Sequence, residues 1–153
     1  LKIFKMKNVK IINKSKFESP SYATSDSAGF DLRADIESPL TINSFERVLV
    51  KTGITIEIPQ GCVGYVCTRS GLALKKGLMV LNAPGVIDAD YRSEVGVILI
   101  NLSKEDIVIE PGDRIAQMII SQYEKVSLFN VETIEELSST ERNNGGFGST
   151  GVK

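Results

Sequence analysis

Apolar and polar residues alternate with a period of two over much of the chain. Ile54, Ile56 and Ile58 are separated by Thr55 and Glu57, and the run is closed by Pro59, Gln60 and Gly61; this is the signature of a half-buried strand ended by turn residues. Similar short apolar runs recur at Val63 to Thr68, Gly77 to Leu81, Val95 to Asn101, Ile107 to Ile109 and Ile115 to Tyr123, bounded by turn formers such as Pro84-Gly85 and Pro111-Gly112-Asp113. The 17 isoleucines and 13 valines outnumber the 12 leucines by more than two to one, and β-branched side chains favour strands. The pattern predicts an all-β domain, a sandwich or barrel. It leaves room for one short helix, Ser70 to Lys76, with Ser70 as its cap and two lysines at its end, and for a weaker helical turn at Glu132 to Leu137. From Ser138 onward the chain turns to Ser, Thr, Asn and Gly, so the expected organisation is a β domain over 1–137 and a mobile Gly-rich tail over 138–153.

Composition narrows the chemistry. A chain of 153 residues with 42% apolar and 24% charged residues is one globular domain rather than a disordered or disulfide-built one. Eighteen basic against 19 acidic residues leave a formal charge of -1, which gives no electrostatic footprint for nucleic acid or an anionic membrane. No apolar run approaches the ~18 residues of a membrane helix, and the expected compartment is the cytoplasm, or the nucleus of a eukaryotic or viral host. There is no histidine, so Ser-His and Cys-His catalysis are excluded and carboxylates or a metal must do the work. The two cysteines, Cys62 and Cys67, are five apart on one strand and face opposite sides, so they read as reduced, buried packing residues.

Five segments carry polar groups where a strand or turn alone does not need them. The tail, Arg142 to Gly151, combines glycines that let backbone N–H groups approach a phosphate with donors at Arg142, Ser149 and Thr150, and with Phe147, an aromatic positioned to stack on a base. A solvated terminus is the plainer alternative. Asn82 to Tyr91 reads as a hairpin whose Asp88 and Asp90 share one face of an extended segment, leaving one of them as a possible base; ordinary turn aspartates are the alternative. Arg69-Ser70-Gly71 places a cation, a hydroxyl and free amides at a helix start, an anion-friendly place, or merely a cap. Gly29 to Ala34 sets Asp31 and Arg33 on one face, as a surface ion pair also does. Pro111 to Gln117 is a turn entering a strand, with Arg114 and Gln117 at opposite pleat parity.

In this order the five segments resemble the five motifs of the trimeric dUTPases: Ala28 to Ala34, Arg69 to Ala73, Gly85 to Glu94, Arg114 to Gln117 and Arg142 to Gly151. The resemblance spans residues 22 to 151, and five ordered motifs are far more specific than any one. It implies a jelly-roll-like β-barrel or sandwich, and a homotrimer with tail exchange and sites at subunit boundaries. The implied reaction is Mg²⁺-dependent attack of water on the α-phosphate of dUTP, giving dUMP and pyrophosphate. This keeps uracil out of DNA and supplies dUMP for thymidylate synthesis. By motif position the resemblance implies Asp88 as the base and Asp31 as a water-mediated metal holder. It implies Arg69, Ser70, Gly71 and Gln117 near the phosphates, and Asn82, Gly85, Val86, Ile87 and Gly96 around the uracil edge. Tyr91 falls against the deoxyribose, and Arg142, Phe147, Gly148, Ser149 and Thr150 on the closing tail. Ser93 and Asn143 stand where the family usually has glycine; Asn tolerates the left-handed region, so tail closure is expected to survive. A deaminase of the same fold needs a glutamate and a different pocket for attack at the base, and a non-catalytic binding relative is free to lose the base, whereas Asp31, Asp88, Arg142 and Phe147 are all retained here.

Overall fold

The computed structural model describes residues 7–146. Its strands are β1 (Lys10–Asn13), β2 (Gly29–Arg33), β3 (Leu40–Ile42), β4 (Arg47–Glu57), β5 (Cys62–Cys67), β6 (Leu78–Val80), β7 (Gly85–Ile87), β8 (Glu94–Asn101), β9 (Ile107–Ile109) and β10 (Arg114–Gln122). One helix, α1 (Ser70–Lys76), lies between β5 and β6, and a 3₁₀ turn covers Ile134–Glu136. All the pairings are antiparallel: one sheet runs β1-β4-β8-β6, a second β2-β10-β5-β7, and β3-β9 forms a two-stranded ribbon.

The period-two pattern explains this arrangement. Along β8 every second residue is buried, Val95, Val97, Leu99 and Asn101, and the same alternation buries Phe30 and Leu32 on β2. The buried faces of the two four-stranded sheets meet in one cluster, in which Leu32, Cys62, Val66, Ala116 and Met118 of one sheet join Val50, Ile56, Leu78, Val97 and Leu99 of the other. Removing these side chains from water is the main stabilising term. Asn101 is a polar exception at 0% exposure. Its Nδ2 donates to the carbonyls of Ile42 (2.9 Å) and Glu105 (2.8 Å), and its Oδ1 accepts from the amide and hydroxyl of Ser103, each at 2.8 Å. Fully satisfied, it ties β8 to β3 and to the turn before β9.

Three expectations need correction. Ser70 does not cap α1: Arg69 occupies the cap position with extended backbone and no side-chain cap bond, so the Ser70 hydroxyl is not used for capping. The segment after Asn82 is not a simple hairpin, because β7 pairs with β5 while β8 pairs with β4 and β6 in the other sheet. Between them Tyr91 N donates to Asp88 O at 3.1 Å, a turn that breaks the extended alternation proposed for Asp88 and Asp90. Of the two cysteines only Cys62 is buried; Cys67 is half-buried. Among the described residues no helix is long and apolar enough to cross a membrane.

β4 carries a wide irregularity: its register with β8 runs to Lys51↔Gly96 and resumes only at Thr55↔Glu94, two extra residues on β4. Gly53 makes this possible, with φ +68°, and a Cβ there would stand 2.7 Å from Ser15 and 2.8 Å from Asp35 Oδ2. We expect Gly53→Ala to cost about 2 kcal/mol, from backbone strain together with overlap; urea denaturation reads this as a lowered midpoint, and an unchanged midpoint contradicts it. At the outer edge of the same sheet Lys10 Nζ lies 2.9 Å from Glu57 Oε1. That hydrogen bond first, and the lysine's charge second, hold the Glu57 carboxyl below its ordinary 4.5, with Arg92 adding a smaller pull. A lowered folded pKa makes the pair's contribution present above the ordinary value and lost as pH falls through the folded one. Lys10→Met is expected to move the Glu57 carboxyl titration, followed by NMR, upward, with little change in overall stability because the pair is exposed.

Candidate active site

Strand pairing assembles the first cluster. β10 is the central strand between β2 and β5, so Gln117 stands opposite Asp31 on one side and Cys67 on the other. The chain leaving β5 through Thr68 and Arg69 therefore emerges beside Asp31. Arg69 Nε lies 2.8 Å from Asp31 Oδ1, Arg114 Nη1 lies 3.2 Å from Asp31 Oδ2, and Arg69 Nη1 donates to Arg114 O at 3.1 Å. Gln117 Nε2 donates to Thr68 O at 3.2 Å. Arg33 is not Asp31's partner; it donates to Gly112 O at 2.9 Å. Nor do Arg114 and Gln117 diverge: a register shift between Arg114 and Ala116 in the β10–β2 pair brings both to one cleft of about 400 Å³, shared with Asp31, Ser70 and Gly71.

Two guanidinium groups against one carboxylate leave this cleft with a net positive charge. α1 adds little, since it is only seven residues long, but it has no acidic residue in its first turn to oppose an anion. Both arginines are held by their partners, so they present fixed donors rather than flexible charges. The cluster suits a polyanion. Among the described residues no group of three His, Cys, Asp or Glu is arranged to hold a metal ion by itself.

The second cluster lies on β7 and the turn after it. Asp88 is exposed and opens on a separate cleft of about 530 Å³ with Glu57, Asp90, Arg92, Tyr123 and Lys125. Arg92 Nη1 donates to the carbonyls of Ala89 (2.7 Å) and Tyr91 (2.9 Å), stiffening the turn, and the Tyr91 hydroxyl donates to Glu94 O at 2.8 Å. Gly85 is close-packed: a Cβ there would lie 3.2 Å from Asn82 Nδ2 and 3.4 Å from Val66 Cβ. Val86 is exposed, Ile87 leans on the core, and Gly96 on β8 has Leu49 Cδ1 only 2.7 Å from where a side chain would begin. The structure thus brings Asp31, Arg69, Ser70, Gly71 and Gln117 to one cleft; Asn82 lies against Gly85, while Val86 and Ile87 continue β7 towards the turn in which Tyr91 N closes on Asp88 O. The two clefts share no lining residue.

In the tail, Arg142 sits in a turn with Nε donating to Gly145 O at 2.9 Å, and Asn143 adopts φ +44°. The left-handed conformation expected of a glycine there is met by asparagine. Ser93 is not among the residues of positive φ, so its turn needs no glycine. Phe147, Gly148, Ser149 and Thr150 lie outside the described residues. Sequence reasoning missed the pairing of Arg114 with Asp31, because the bulge that turns Arg114 into the cleft leaves no trace in the alternation of β10 itself.

The dUTPase family profile matches residues 15–151. The deoxyuridine 5'-triphosphate nucleotidohydrolase of Hydrogenobaculum sp. is 55% identical over 136 residues, 88% of this chain and 90% of the relative. The protein of the same name from Aquifex aeolicus is 62% identical over 109 residues, 71% of this chain and 73% of its own length. Among solved structures, a Staphylococcus bacteriophage 80alpha dUTPase with dUPNHPP superposes with a TM-score of 0.81 at 27% identity, covering 96% of this chain and 100% of that one. The fold expected from the motifs, an all-β jelly-roll-like sandwich with one short helix, is the fold found, and with the profile spanning all five motifs the chain belongs to the dUTPase family.

Proposed function

We propose that this protein hydrolyses dUTP to dUMP and pyrophosphate, as a homotrimer whose sites lie between subunits. The observation that carries the reading is the division of the polar apparatus into two clefts on one chain, a cationic one around Asp31 and an acidic one at Asp88. A reaction that needs an anion held and a water deprotonated at the same phosphorus requires both, and a neighbouring copy supplies the missing half. The nucleotidohydrolase name of relatives at 55% and 62% identity supports the substrate. The exposed apolar arm supports the assembly: Val126, Leu128, Phe129, Ile134 and Leu137 are 70%, 92%, 87%, 62% and 55% exposed, a stretch that calls for cover from another subunit.

In this reading Arg69, Ser70, Gly71 and Gln117 grip the triphosphate, and Arg142, Gly148, Ser149 and Thr150 close on it from the tail. Asn82 with the Gly85–Ile87 backbone and Gly96 reads the uracil edge, a tight frame that rejects the thymine methyl by space and cytosine by its reversed donors and acceptors. Phe147 stacks on the base, and Tyr91 leaves no room for a ribose 2′-hydroxyl. Asp88 accepts a proton from water as its oxygen bonds to the α-phosphorus, and the bond to the bridging oxygen breaks to release pyrophosphate. Exposed in the single chain, Asp88 needs the neighbour and the tail to exclude bulk water around it.

The donor chemistry fits magnesium. Asp31 stands between two guanidiniums, so a cation there must arrive with negative ligands of its own, and the phosphates of the substrate provide them. Magnesium keeps most of its waters and takes few protein ligands, which agrees with Asp31 acting through water. Asp31 would hold the ion through water, and the ion when bound would supply charge neutralisation for the leaving pyrophosphate. The two free cysteines agree with a reducing compartment, which we take to be the cytoplasm.

Pyrophosphate release from dUTP, dCTP, dTTP and UTP, side by side with Mg²⁺ and with chelator, tests the reading. Metal-dependent release from dUTP alone is expected, and no release from any of the four contradicts it. Asp88→Asn is expected to lower kcat by about 100-fold or more while binding of dUPNHPP and the oligomeric state measured by light scattering stay as in the wild type. Near-normal turnover by that variant removes Asp88 from the role of base.

A further inference from the structure

We propose that Glu94 is a positioning residue for sugar discrimination, fastening Tyr91 to the irregularity in β4. The proposal rests on the reading of Tyr91 as the group that faces the deoxyribose. Glu94 is half-buried, and among the described residues no lysine or arginine forms a salt bridge with it. Its Oε1 instead accepts from two successive backbone amides, Thr52 N at 3.2 Å and Gly53 N at 2.8 Å. These amides belong to the extra residues of β4, which the register between Lys51↔Gly96 and Thr55↔Glu94 leaves without a partner on β8. A carboxylate gripped by two neighbouring N–H groups is held in place far more firmly than one exposed to water. Thr52 closes the arrangement, its hydroxyl donating to Val95 O at 2.6 Å.

The other end of Glu94 holds the gate. Its carbonyl accepts the Tyr91 hydroxyl at 2.8 Å, and Tyr91 N in turn closes on Asp88 O at 3.1 Å. One residue therefore joins three things: the irregular stretch of a central strand, the tilt of the tyrosine ring, and the turn that carries Asp88. Excluding a single hydroxyl by shape depends on placement to a fraction of an ångström, and a tyrosine tethered only to a short loop does not have it. Through Glu94 the ring is referred to β4 and β8, the paired strands at the middle of their sheet.

The test is the ratio of kcat/KM for dUTP to that for UTP, measured on the full-length protein. Glu94→Ala removes both amide contacts, and the ratio is expected to fall roughly tenfold, the size of one lost shape constraint. Glu94→Gln retains an acceptor oxygen and is expected to keep most of the wild-type ratio. Tyr91→Phe, which cuts the same tether at its hydroxyl, is expected to lower the ratio as Glu94→Ala does. If Glu94→Ala does not fold, Glu94→Asp, whose shorter arm withdraws the carboxylate from the amides, is read in its place with the same expectation. A merely structural role lowers turnover of both nucleotides together and leaves the ratio unchanged, and that result overturns the proposal. A wild type that hydrolyses UTP as readily as dUTP overturns the reading of Tyr91 itself, which separates the two failures.

Discussion

Asp31 is clamped between Arg69 at 2.8 Å and Arg114 at 3.2 Å, and the cationic half of the candidate site takes its shape from that clamp. An unpaired arginine is a flexible charge, and two near each other repel; the shared carboxylate fixes both and leaves one net positive charge facing the cleft. Three strands must be in register for this to happen. β2 supplies the carboxylate, β10 supplies Arg114 only because its register with β2 shifts after that residue, and β5 delivers Arg69 at its end. The sandwich core beneath, with Leu32, Ala116 and Met118 fully buried, keeps these strands from sliding.

The second half of the site obeys a different constraint. Asp88 lies on a turn between two sheets, held by Arg92 and Tyr91 rather than by strand pairing, and its surroundings in a single chain are open. A carboxylate that accepts a proton works better in a drier place than this. The proposed trimer resolves the contrast: the rigid sheets carry the cationic cluster, the turn offers Asp88, the proposed base, to a neighbour, and the apolar arm after Gln122 provides surface for the assembly to cover.

Much of this was legible in the sequence because the signals are local. Alternation predicted several strands within a residue or two, as at Ile107–Ile109 and at Val95 to Asn101 against the observed Glu94–Asn101, and the short helix fell on Ser70–Lys76; it caught only the end of β4, which begins at Arg47, and missed β1 and β3. What escaped were relations set by packing between distant segments. Whether β7 pairs with β5 or with β8 is not written in its three residues, and the parity of Arg114 depends on a bulge in the pairing with β2. The cap position of α1 is Arg69 instead of Ser70, and the arginine side chain goes to Asp31 rather than to the helix end. The grip of Glu94 on the Thr52 and Gly53 amides joins residues about 40 positions apart, which no local pattern reveals. Asn143, by contrast, was readable: its left-handed backbone is the one that asparagine tolerates best after glycine.

The most direct measurement of the divided site is complementation between two inactive chains, one carrying Asp88→Asn and the other Arg69→Gln. Each alone is expected to release almost no pyrophosphate from dUTP. When the two are unfolded together and refolded as mixed assemblies, sites that draw Asp88 from one chain and Arg69 from its neighbour are intact, and activity returns to a substantial fraction of the wild-type level. Mixed assemblies that stay as inactive as either parent contradict the account, because both halves of the site would then have to come from the same chain.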